Sequence, residues 1–178
     1  ALENHKDHLA ADMLQVLRQL GSEYVGLCVD VANNFALLED PIETATAFAP
    51  HALTVHIKDL GIRPCEEGFW LSDEALGAGF LDLRAIVAIL RQSRRDVRFN
   101  LEVITRDPIK VPVQTEKYWA TFPGRSRSAM EPMLKLAREK GPAGPLTAVS
   151  ALLKARQLEL ERNNIERSLR YARDALDL

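Results

Sequence analysis

Short apolar runs, each ending on or carrying an acidic or imidazole side chain and alternating with helix signals, constrain this chain most. Tyr24-Val25-Gly26-Leu27-Cys28-Val29 stops at Asp30. Ala52-Leu53-Thr54-Val55-His56-Ile57 precedes Lys58-Asp59, and Val97-Arg98-Phe99-Asn100-Leu101-Glu102-Val103-Ile104 contains Glu102. Runs of this kind suit strands buried on both faces, as in a parallel sheet. The intervening segments read as helices. Leu9, Met13, Val16, Leu17 and Leu20 fall at helical spacing before a stop at Gly21. Asp40 is an N-cap, Pro41 sits in the first turn, and Glu43 completes a capping box for a helix that carries Ile42 and Phe48 to Pro50. Asp82 caps a third helix with Leu83, Ile86, Val87 and Leu90 on its apolar side. Strands alternating with helices predict an α/β fold built on a parallel sheet.

Elsewhere the pattern is less regular. Residues 60–80 read as a long loop rich in Gly and acidic groups, closing on Leu76-Gly77-Ala78-Gly79-Phe80, with Phe69 and Trp70 as a substrate cap or a hydrophobic plug. Residues 105–127, with Pro108, Pro112 and Pro123, read as irregular. Lys110, Lys117, Tyr118 and Trp119 mark a lid or a seal against a neighbouring subunit. A helix near 127–140 stops at Gly141-Pro142-Ala143-Gly144-Pro145. The expected organisation is a first unit at 1–140, a linker at 141–145, and a closing segment at 146–178 of one or two helices.

Composition narrows the function. With 47% hydrophobic and 27% charged residues and a formal net charge of -2, the 178-residue chain has the apolar content for a core. The 23 Lys and Arg against 25 Asp and Glu leave no cationic excess for nucleic acid. No stretch approaches the roughly 20 apolar residues of a membrane span. Two cysteines, Cys28 and Cys65, make no disulfide scaffold, and cytoplasmic localisation is expected. Cys28 reads as a packing residue, and Cys65 has no base placed beside it. The chain opens on Ala1-Leu2-Glu3 without Met, which fits either Met removal or a chain cut at a domain midpoint.

The chemistry sits at the apparent strand ends, on Glu3, Asp30, His56 and Glu102. The intervals 3 to 30 and 30 to 56, of 27 and 26 residues, are each about one strand–helix unit. Singly, each has an ordinary explanation: a surface carboxylate for Glu3, a cap or turn for Asp30, a packed core histidine for His56. Glu102 in an apolar strand is costly to bury without a partner. Together, three carboxylates and one imidazole make an oxygen-rich site that suits Mn²⁺, Mg²⁺ or Co²⁺ better than structural zinc. Arg106, just past Glu102, is placed to clamp a carboxylate or phosphate, or to pair with Asp107 or another surface acid.

The segments Leu2-Glu3-Asn4-His5, Gly26 to Asn33, Val55-His56-Ile57-Lys58-Asp59, Leu76 to Leu83 and Leu101-Glu102 resemble, in order, the motif set of the xylose-isomerase-like sugar phosphate isomerase/epimerase barrels. The resemblance covers about residues 1–104 and implies a parallel (β/α) barrel. It reaches only the last four βα units of a (β/α)8 TIM barrel, plus a C-terminal helical extension. It also implies one divalent metal (Mn²⁺ first; Mg²⁺, Co²⁺ or Zn²⁺ as others) on Glu3, Asp30, His56 and Glu102, with Glu3 and Glu102 as the acid/base pair. Asn33, Lys58 and Arg106 are the expected substrate contacts, with a buttress or surface-pair role open for Lys58. The expected activity is isomerisation or epimerisation of a sugar, sugar phosphate or keto-sugar through an enediolate. The alternative is a lyase, dehydratase or decarboxylase of a keto-sugar acid on the same site, and a more distant one is a non-catalytic half-barrel module. The related endonucleases acting at abasic sites need more histidines than the four present. A full barrel takes about 250 residues, so a longer parent chain, a second copy or a partner is expected to complete it.

Overall fold

The chain enters on a two-residue strand, β1 (Leu2–Glu3), and turns into α1 (Ala10–Leu20), which Gly21 ends in a left-handed conformation. Strand β2 (Leu27–Asp30) leads through a 3-10 turn, Asn33–Leu37, to α2 (Pro41–Phe48). The Asp40 carboxylate caps α2 by accepting from the backbone N–H groups of Ile42 and Glu43 at 2.8 and 3.0 Å. Then come β3 (Ala52–Ile57), β4 (Asp59–Cys65), β5 (Gly68–Glu74), α3 (Leu83–Ser93) and β6 (Arg98–Leu101). The chain closes with β7 (Ile109–Val111), α4 (Glu116–Trp119), α5 (Met130–Lys140) and α6 (Lys154–Leu176). This computed structural model describes residues 1–93, 96–142 and 144–178; Ala143 of the expected linker lies outside the described residues.

Strands β1, β2, β3 and β6 form one parallel sheet in that order, half the strand number of a closed eight-stranded barrel. Leu27, Val29, Val55 and Ile57 are buried in it, and Phe48, Leu83, Ile86 and Leu90 cover them from α2 and α3. Each such side chain contributes about 1.5–3 kcal/mol of burial. Because all four strands are parallel, their carboxyl ends lie at one edge. Asp30 pairs in register with His56, and the Glu102 N–H donates to the Ile57 carbonyl at 2.9 Å, so the sheet itself brings three of the strand-end residues together.

Residues 60–80 are not a long loop. Residues 59–74 form an antiparallel hairpin in which Asp59 pairs with Glu74 and Cys65 with Gly68, and β7 adds a third strand within the segment expected to be irregular. Gly61, Pro64 and Gly68 hid these strands. Pro64 is tolerated because β4 is the edge strand and needs no N–H there. The first expected strand is also shorter, since residues 24–26 precede β2, and β6 ends at Leu101.

The closing segment contains one long helix. Ser168 of α6 is fully buried and accepts a hydrogen bond from the Leu76 N–H at 3.0 Å, while Arg91 donates to the carbonyls of Leu176 and Asp177. Gly77, at φ +80°, lies so close to Tyr171 of α6 that a Cβ there would stand 2.2 Å from the ring.

Candidate metal centre

Glu3, Asp30, His56 and Glu102 converge at the carboxyl edge of the parallel sheet, and one donor atom from each lies within 4.8 Å of the others. Two metal–ligand bonds of about 2.0–2.4 Å can bridge such a span. His56 Nδ1 is 3.2 Å from Glu3 Oε1 and 2.8 Å from Glu102 Oε2. Asp30 is fully buried: its Oδ1 accepts from the N–H groups of Ala32 and Asn33 at 2.9 and 2.8 Å, while its Oδ2 takes no backbone N–H. That oxygen faces Lys58 Nζ at 2.7 Å as an ion pair. Three carboxylates and one imidazole nitrogen within this span fit a hard divalent cation.

Lys58, with its side chain 3% exposed, bridges Asp30 and Glu102, reaching Glu102 Oε1 at 2.9 Å. The surface pairing that was one alternative for Lys58 is therefore replaced by a buried one, set by the alternation along the chain from His56 to Asp59. Burial pushes the Glu102 carboxyl up, but the hydrogen bond and charge of Lys58 outweigh it and hold the group below its ordinary range. Burial pushes Asp30 up, with Lys58 opposing.

Next in the chain, Asp59 points to the other side and is fully buried. Its Oδ1 accepts from Leu60 and Leu81 N–H groups and its Oδ2 from those of Gly77 and Gly79, at 2.9–3.2 Å. A Cβ at residue 79 would stand 2.2 Å from Asp59 Oδ1, so glycine is required for this approach. Asp59 thereby fixes the turn that follows the hairpin to the strand that carries His56.

Asn4, which sequence reasoning passed over, is also buried. It accepts from the Asp30 N–H and donates to the Asp30 carbonyl, both at 2.8 Å, and donates to Asn34 Oδ1 at 2.8 Å. Its position next to Glu3, just past β1, was the available signal. Asn33 is buried against the site, donating to the Asn4 carbonyl and accepting from Lys6. Arg106 pairs through Nε with Asp73 at 2.9 Å, not with Asp107, and the Asp73 side chain is buried at 5% exposure. Asp107 instead accepts from the Ser150 N–H. Of the two aromatics expected over the site, Phe69 is core, packed against Phe35 at 5.6 Å between ring centroids. Trp70 lines a separate cavity of about 340 Å³ with Arg63, Pro108 and Leu146. Tyr118 donates to the Ala36 carbonyl at 2.9 Å and Trp119 is buried, so this segment packs on the chain's own 3-10 turn.

The family described as xylose isomerase-like TIM barrel matches residues 1–122. The chain belongs to the xylose isomerase-like TIM barrel family. A 3-oxo-isoapionate decarboxylase from Pectobacterium atrosepticum is 33% identical over 103 residues, which are 57% of this chain and 38% of that protein. Among solved structures, a xylose isomerase domain protein from Planctomyces limnophilus is similar at a TM-score of 0.50 and 22% identity, over 78% of this chain and 45% of that one. A xylose isomerase-like TIM barrel protein from Mycobacterium smegmatis, in complex with magnesium, is similar at a TM-score of 0.53 and 18% identity, over 78% and 44%. The chain thus spans less than half the length of each of these relatives, and the two structures establish the barrel-type fold. Among the described residues, no helix is long and apolar enough to cross a membrane.

The cysteines differ in burial. Burial pushes the Cys28 thiol up to about 11, with Glu3, Asp30 and Glu102 adding to the shift, while Cys65 is half-buried. At pH 8 a thiol of that kind is about 0.1% thiolate, so iodoacetamide is expected to label Cys65 first and Cys28 slower by a factor of about 100 or more. Peptide mass spectrometry over a time course reads this directly; equal rates would contradict the burial of Cys28.

Proposed function

We propose that this chain contributes the metal-binding half of an enzyme that decarboxylates a 3-oxo sugar acid. The observation that carries it is the convergence of Glu3, Asp30, His56 and Glu102 within 4.8 Å. The similarity to a 3-oxo-isoapionate decarboxylase favours loss of CO₂ over the other reactions such a site supports. Glu3, Asp30, His56 and Glu102 would hold a divalent ion, which would supply Lewis-acid chemistry when bound.

The chain's own groups do the rest. Arg106 binds the departing carboxylate end, and Lys58 holds Asp30 and Glu102 in place. When the C–C bond to the carboxylate breaks, its electron pair stays on the adjacent carbon, delocalised toward the keto oxygen, and CO₂ leaves. A carboxylate of the Glu3/Glu102 pair then relays a proton from solvent to that carbon. Glu102 is the member held ionised by Lys58. Glu3, with its side chain 38% exposed, is the one open to solvent and so the relay.

Isomerisation or epimerisation is the second reading. Glu3 and Glu102 approach His56 from the two sides of the sheet, as one base and one acid acting at a substrate carbon would. Incubation of the Mn²⁺-loaded protein with 3-oxo-isoapionate in D₂O separates the two. Release of CO₂ with one deuterium on the product carbon is expected; deuterium exchange without CO₂ would replace decarboxylation by the second reading.

A further inference from the structure

Lys6 lies three residues past Glu3, half-buried, and its Nζ donates to the neutral Asn33 Oδ1 at 2.5 Å. Among the described residues it makes no ion pair; Lys58 and Arg106 act on it with like charge, and Asp30 and Asp73 with opposite charge. A half-buried ammonium whose hydrogen-bond partner is a neutral amide gains from an anion in direct contact. Arg106, 38% exposed, is engaged through Nε by Asp73. Lys6, Lys58, Arg106, Asn33, Ser72 and Asp73 line one cleft of about 10 Å³, room for about one water, and Lys58 links it to Asp30 and Glu102 of the four-donor cluster. That space is too small for a carboxylate, and Arg106 keeps part of its guanidinium open to solvent.

Charge selects the ligand. Glu3, Asp30, Asp73 and Glu102 carry four negative charges; Lys6, Lys58 and Arg106 carry three positive ones. With a divalent cation on the cluster, the site is left with a single positive charge, which one carboxylate neutralises and a doubly charged phosphate would overshoot.

We propose that Lys6 and Arg106, with Asp73 as resident counter-ion, form an anion subsite that holds the carboxylate of a singly charged sugar acid next to the metal cluster, with Lys6 as its specificity-determining residue. This rests on the metal reading given above. The test is calorimetric titration with erythronate, neutral erythritol and erythritol 4-phosphate, on the wild-type chain, Lys6→Gln and Lys6→Arg, each with and without Mn²⁺. The expected result is a loss of about tenfold or more in erythronate affinity for Lys6→Gln, largely restored in Lys6→Arg, with erythritol and Mn²⁺ binding unchanged. Erythronate bound equally by Lys6→Gln and wild type would overturn the subsite, and tighter, Lys6-dependent binding of erythritol 4-phosphate would overturn the carboxylate assignment. Absence of Mn²⁺ uptake by the wild type would overturn the metal reading instead, and the metal-free titrations still read the dependence on Lys6.

Discussion

Replacing Asp59 by alanine is expected to lower the stability of the chain by about 3–5 kcal/mol, since four backbone donors lose one shared acceptor. The N–H groups of Leu60, Gly77, Gly79 and Leu81 all end on this carboxylate, and the side chain is fully buried. An unsatisfied buried donor costs about 1–3 kcal/mol; releasing the burial cost of the charge itself offsets part of the total. Against a typical stability of about 5–15 kcal/mol, the loss is large. The effect also spreads, because the turn held by Asp59 carries Gly77 against Tyr171 and Leu76 against Ser168. Asp59→Asn keeps one carbonyl oxygen but turns an amide NH₂ toward N–H donors, so an intermediate loss is expected. Urea unfolding followed by circular dichroism measures both. A change below about 1 kcal/mol for Asp59→Ala would mean that these N–H groups find other acceptors.

The second large effect is on turnover. Glu3→Gln preserves the shape of the side chain and removes its charge and its proton-transfer capacity. At saturating Mn²⁺ the rate of CO₂ release is expected to fall by about 10²–10⁴, the range ascribed to a positioned acid/base group. Measuring Mn²⁺ affinity in the same variant separates a weakened metal site from lost proton transfer. Retained metal with unchanged turnover would remove Glu3 from the mechanism.

The parallel half of the fold was legible because its signals are local. Asp40 and Asp82 cap helices by short-range bonds, as their spacing implied, and the buried strands stand out as apolar runs. Four metal-competent residues at four strand ends could be read as one site because parallel strands deliver their carboxyl ends to one edge. The hairpin was hidden because Gly61, Pro64 and Gly68, with Glu66 and Glu67 at its tip, carry the composition of a loop while long-range pairing makes them strands. The partner of Arg106 was hidden for the same reason: Asp73 reaches it only through the hairpin, 33 positions away in the chain. Lys58 and Asp59 illustrate a subtler limit. Adjacent residues in extended backbone point to opposite sides, and both charges turn out to be buried for different purposes, one among metal donors and one under a glycine turn.

Metal content per chain tests the central claim most directly. After loading with Mn²⁺ and removal of free ions, elemental analysis of the wild-type chain is predicted to give close to one Mn²⁺ per chain, and His56→Ala to lose it, because the imidazole is the sole nitrogen donor among Glu3, Asp30, His56 and Glu102. No metal in the wild type, or an equal amount in both proteins, would contradict the four-donor site.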